Sequence, residues 1–76
     1  SKPFKWSVDF PGMLVVISIP AWNEESTLPV VLEEIKWVMA SSPYKYKILV
    51  VDDGSTDATV AVARAAGAVL VEDDAG

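Results

Sequence analysis

Two short segments hold most of the polar chemistry of the chain. Residues 19–29, IPAWNEESTLP, and residues 49–57, LVVDDGSTD, each begin in an apolar run and turn abruptly polar. A carboxylate at the rim of a crevice can accept hydrogen bonds from a nucleobase imino or amino group, or from ribose hydroxyls. Asp52 and Asp53 are the candidates in the second segment. They are adjacent, so in extended backbone they point to different sides. One can cap the following turn while the other faces a crevice. Gly54 permits a tight turn, and Ser55, Thr56 or Asp57 can cap a following helix. In the first segment Trp22 can stack on a flat base. Asn23 can fix the turn through its amide. Glu24 and Glu25 sit where a helix N-terminus favours negative charge. The same residues also suit plain turn closure and helix initiation.

The elements that must position these groups are legible from periodicity. Residues 14–19, LVVISI, form an almost continuous β-branched run. That is the pattern of a strand covered on both faces, as in parallel sheets. Pro20, without an N–H, ends its ladder. A helix is predicted over 27–39, with Ser26 as N-cap and Pro29 in its first turn. Leu28, Val31, Leu32, Ile35, Val38 and Met39 form its buried stripe, with Glu33, Glu34 and Lys36 opposite. SSP at 41–43 breaks the pattern. Strands are predicted at 46–51 and 68–71, with an Ala-rich helix over about 58–66 between them and Gly67 at its C-cap. The order β-α-β-α-β implies a parallel α/β sheet with right-handed crossovers. Ligands of such sheets bind outside the C-terminal ends of the strands, and both polar segments lie there.

Composition narrows the function. The chain has 76 residues, 51% of them hydrophobic, enough for one small domain. A domain this small buries about 60% of its unfolded surface, so apolar area is expected to seek a partner. The net charge of −5, from eleven acids against six Lys and Arg, disfavours nucleic-acid binding. There is no Cys and no His, hence no thiolate, no Cys-ligated zinc and no imidazole base. No apolar run approaches the ~20 residues of a membrane span, so a cytoplasmic location without its own anchor is expected. Residues 1–13 carry Phe4, Trp6 and Phe10 between Pro3 and Pro11 and read as an extended aromatic arm.

The two segments together resemble the N-terminal half of the family 2 glycosyltransferases. VVISIPAWNEESTLPVVLEEI matches their strand followed by P-A-Y-N-E-E, and YKILVVDDGSTDATVAVARAAGA matches their V-V-D-D-G-S-x-D-x-T turn. The likeness covers residues 14–71, and the wording is nearest to the polyprenyl- and dolichyl-phosphate sugar transferases. It implies a GT-A fold, of which residues 14–76 would be the Rossmann-like, nucleotide-binding half. It also implies transfer of a sugar from a UDP- or GDP-linked donor to an acceptor such as a polyprenyl phosphate. Carried over, Pro20, Ala21 and Trp22 would line the base and ribose pocket. Glu24 would lie near the nucleoside, Asp53 would accept hydrogen bonds from the base, and Asp52 would join the nucleotide-binding set by supporting that loop, with Asn23, Gly54 and Ser55 as loop and cap support. Trp22 stands where the family usually has Tyr, so stacking can survive but a hydroxyl contact cannot.

The family's D-x-D metal motif and its acceptor and base residues lie beyond another helix and strand. The expectation is therefore recognition without catalysis, with no metal site in these residues, although the full-length family uses Mg²⁺ or Mn²⁺. Glu72, Asp73 and Asp74 read as a solvated acidic tail. A response-regulator receiver would need a later phospho-accepting Asp, a Ser or Thr and a Lys, which do not follow. The competing expectation is a non-catalytic assembly module: two open sheet edges favour a homo-oligomer.

Overall fold

A computed structural model of the chain describes residues 13–73. The aromatic arm lies outside the described residues, apart from Met13. β1 (Leu14–Ala21), α1 (Leu28–Ala40), β2 (Lys45–Asp52), α2 (Thr59–Ala65) and β3 (Val69–Glu72) follow in that order. The three strands form one parallel sheet in the order β1-β2-β3. Leu14 stands opposite Lys45 and Ala21 opposite Asp52, while Leu49 stands opposite Val69 and Asp52 opposite Glu72. The predicted α/β architecture is the observed one.

Register explains which residues are inside. The core is Ala21, Leu28, Leu32, Ile48, Val50 and Ala63, with Ile19, Ile35 and Leu70 packed against it. Alternate residues of each strand therefore face both helices. Two right-handed crossovers that advance in one direction across a sheet place their helices on one side. The other face, carrying Leu14, Val16, Val69 and Val71, is exposed among the described residues. β1 is thus covered on one face here, where its apolar run suggested two.

Three sequence expectations are corrected. The ladder does not end at Pro20, which pairs with Val51 inside β1. The carbonyl of Ala21 accepts from the Asp53 N–H at 3.0 Å, so Ala21 turns its backbone toward β2. N–H and C=O of one residue point the same way in a strand, so Pro20 turns toward the free edge. Its missing donor costs no ladder bond there. Val31 and Val38 leave the predicted stripe and are exposed, whereas Leu28 and Leu32 are buried. Val30 and Trp37 are exposed as well, so α1 is apolar on two sides and only one meets the sheet. Glu72 is no tail residue: it belongs to β3, and the Asp73 N–H donates to the Asp52 carbonyl at 2.8 Å.

The end of α2 follows the Schellman pattern. The Gly67 N–H donates to the Arg64 carbonyl at 3.0 Å and the Ala68 N–H to the Ala63 carbonyl at 3.1 Å. Gly67 adopts φ 82°, the left-handed conformation this motif requires. The chain is thereby turned back into β3, so the C-terminal ends of all three strands rise to one rim.

Candidate functional site

The rim is built from two loops, 22–27 after β1 and 53–58 after β2. Asp52 is 3% exposed, and its carboxylate accepts the Ser55 N–H at 3.2–3.3 Å. It holds the turn closed from within. Asp53 is exposed, and its own N–H is held by Ala21. The adjacent carboxylates thus divide their tasks: one supports, one is open to a ligand. Ile48 and Val50 set the pleat, so Asp52 shares their inward face. Gly54 adopts φ 77° with open space around its Cβ position. Glycine is needed there for the backbone angle rather than for room.

Loop 1 is stitched to loop 2. The Asn23 N–H donates to Ser55 Oγ at 2.9 Å, and Asn23 Oδ1 accepts from the Thr56 N–H at 2.8 Å. The Glu24 N–H donates to Thr59 Oγ1 at 2.8 Å, and the Glu25 N–H to Asp57 Oδ2 at 3.2 Å. Asn23 sits at φ 49°, a left-handed conformation that asparagine tolerates. Three successive amides of loop 1 therefore end on two side chains of loop 2 and on Thr59, the first residue of α2. Those amides are not available to a phosphate, although the loop leads directly into a helix.

Helix capping differs from the sequence expectation. Thr27, not Ser26, occupies the N-cap of α1, and no side chain caps it. Ala58, not Ser55, Thr56 or Asp57, occupies the N-cap of α2; Asp57, one residue earlier, accepts the Thr59 N–H at 2.9 Å and the Thr59 hydroxyl. The hydroxyl bond from Thr59 is the chief reason that the Asp57 carboxyl titrates below its ordinary value of 3.8. A carboxyl with a lowered folded value stabilises the fold fully above its unfolded value. That stabilisation is lost as pH falls through the folded value. Asp57→Asn is therefore expected to lower the thermal midpoint by a constant amount above about pH 5, with the gap closing below about pH 4. A gap unchanged down to pH 2.5 in a calorimetric series would refute this origin.

Of the residues singled out from the sequence, Trp22, Asn23, Glu24, Asp53, Gly54 and Ser55 gather on the two loops at the rim. Trp22 is 58% exposed, and its N–H points to Glu24 Oε1 at 3.4 Å. Pro20 is exposed just below them, whereas the Ala21 side chain is buried in the core. Sequence reasoning missed Thr59, which is fully buried and joins both loops. Its one signal was its place in the D-x-T ending of the turn. Glu24, Glu25, Asp52, Asp53, Asp57, Glu72 and Asp73 put seven of the eleven acids in these loops and strand ends, without a Lys or Arg. An anionic ligand meets repulsion there unless a cation accompanies it.

A parallel sheet with a helical layer and a polar rim at its strand ends defines a Rossmann-like α/β class of domain. A glucosyl-3-phosphoglycerate synthase from Mycobacterium tuberculosis, solved in complex with UDP, superposes with TM-score 0.66 and 34% identity. The alignment covers 80% of this chain and 21% of that one, and places the fold in the GT-A class. The same synthase has been solved with Mn²⁺, UDP and glucosyl-3-phosphoglycerate. The model of Glycosyl transferase family 2 matches residues 16–73, and the chain belongs to that family. It is 42% identical over 60 residues to a dolichyl-phosphate beta-glucosyltransferase of Drosophila melanogaster, covering 72% of the chain and 18% of the relative. It is 41% identical over 46 residues to a dodecaprenyl-phosphate galacturonate synthase of Rhizobium johnstonii, covering 60% and 14%. The chain thus spans less than a fifth of each of these two relatives. Among the described residues no three carboxylates converge to hold a metal ion. No helix among them is long and apolar enough to cross a membrane.

Proposed function

We propose that this chain recognises the nucleoside of a UDP- or GDP-linked sugar for transfer to an acceptor of the polyprenyl-phosphate kind. The observation that carries the reading is the division of labour at 52–53. A buried Asp52 holds the turn so that an exposed Asp53 stands at the rim beside the loop of Trp22 and Glu24. Asp53 accepts from the base, Trp22 stacks, and Pro20 and Glu24 border the ribose. The Ala21 side chain, being buried, contributes by its carbonyl hold on Asp53 rather than by ligand contact. We assign the transfer step to no residue among those described. The 76 residues recognise the donor without transferring the sugar, in a cytoplasmic setting. The relatives' names support the lipid-phosphate acceptor, and the solved neighbour supports UDP.

The test is an amide-resolved NMR titration of the chain with UDP and GDP, each with and without Mg²⁺. Shifts clustered at 21–25 and 52–55 are expected, and a preference between bases assigns the donor class. No shift at millimolar ligand would sink the reading. A second reading, a non-catalytic homo-oligomeric assembly unit, is favoured by the uncovered face of Leu14, Val16, Val69 and Val71. A strictly monomeric species in sedimentation would count against it.

A further inference from the structure

The residues offered to a ligand at the rim have little packing of their own. Trp22 is largely exposed, and so are Glu24 and Asp53. Their relative placement depends on how the two loop backbones are joined. Three joints are made by the amides of Asn23, Glu24 and Glu25. The joints at Asn23 and Glu25 are open to water, while that at Glu24 is shielded. A water-exposed hydrogen bond can be exchanged for one to solvent at little net cost. A part-buried one is exchanged at greater cost, because the Thr59 hydroxyl that would lose its partner is itself buried. The shielded joint runs from the Glu24 N–H to the Thr59 hydroxyl, which itself donates to Asp57. The ring closes where Asp57 accepts the Glu25 N–H. Each bond in such a chain polarises the next.

We propose that Thr59, which the rim hides from any ligand, is the positioning residue that holds Trp22 and Glu24 against Asp53 for nucleotide recognition. The proposal rests on the nucleotide reading given above. Its role belongs to the hydroxyl and not to the volume of the side chain. Serine should therefore serve and valine should not.

The test is hydrogen exchange and UDP titration on the 76-residue chain, Thr59→Val and Thr59→Ser. In the unsubstituted chain the Glu24 amide is expected to exchange about tenfold or more slowly than those of Asn23 and Glu25. Thr59→Val is expected to abolish that difference and weaken UDP binding about tenfold, as loss of a shielded hydrogen bond implies. Thr59→Ser is expected to restore both to within about threefold. A folded Thr59→Val that binds like the original chain would overturn the proposal, and so would a serine variant that fails to rescue. If the valine variant does not fold, the exchange order in the original chain decides, and equal rates at the three amides refute the proposal. If the original chain shows no response to UDP or GDP, the nucleotide reading fails by itself. The loop-joining role of Thr59 then stands or falls on the exchange order.

Discussion

Leu32→Ala is expected to leave the domain largely unfolded at room temperature. Leu32 is 1% exposed and belongs to the core of six buried apolar residues among those described. Truncating a buried leucine removes its transfer energy and leaves a cavity, together about 3–5 kcal/mol. A domain of this size rarely has more than about 3–5 kcal/mol in total. Val38→Ala is the matched control. It sits on the same helix and on the stripe that periodicity proposed, but it is 59% exposed. Substitutions at such sites change stability by about 0.5 kcal/mol or less. Circular dichroism and amide-shift dispersion should therefore separate the two variants cleanly. A folded Leu32→Ala with a sharp thermal transition would mean that the core is not where the register places it.

Asp53→Ala is expected to weaken UDP binding by about 10- to 100-fold, the range for losing hydrogen bonds to a charged group. The fold should be untouched, because what Asp53 gives the structure is its backbone N–H to Ala21, and alanine keeps that. Asp52→Ala should show the opposite. The Ser55 amide would lose its acceptor inside a nearly dry turn, at a cost of about 1–3 kcal/mol. Its thermal midpoint should fall sharply, with the rim losing shape along with it. Calorimetry and the UDP titration, run on both variants, distinguish the two roles. If Asp53→Ala binds normally, the exposed carboxylate is a spectator and the base is read elsewhere.

Much of this was legible in the sequence because strands in a parallel sheet are written as apolar runs. LVVISI, KILVV and AVLV could hardly be anything else between helical patterns. The polar rim was legible for the same reason, since polarity can begin only where the sheet stops. What the sequence left open depended on orientation. Helix α1 carries Val30, Val31, Trp37 and Val38 besides its core residues, so two stripes fit the same periodicity. Only the one-sided sheet selects between them. The division between Asp52 and Asp53 was undecided locally, yet the alternation from Ile48 and Val50 carries the answer. Thr59 was invisible because its partner, Glu24, lies thirty-five residues away and contributes only a backbone amide.

Pro20 has a consequence beyond its tolerance in β1. The free side of that strand offers donor and acceptor pairs at Leu14, Val16 and Ser18, then an acceptor alone at Pro20. A fourth strand laid along this edge can zip upward from Leu14 but finds no donor from β1 at Pro20. The added strand is given a stop as well as a start, and a slipped register that carried it over the rim would lose its bonding. A single imino acid thus limits how far any added strand could pair along this edge and would keep it clear of the polar loops.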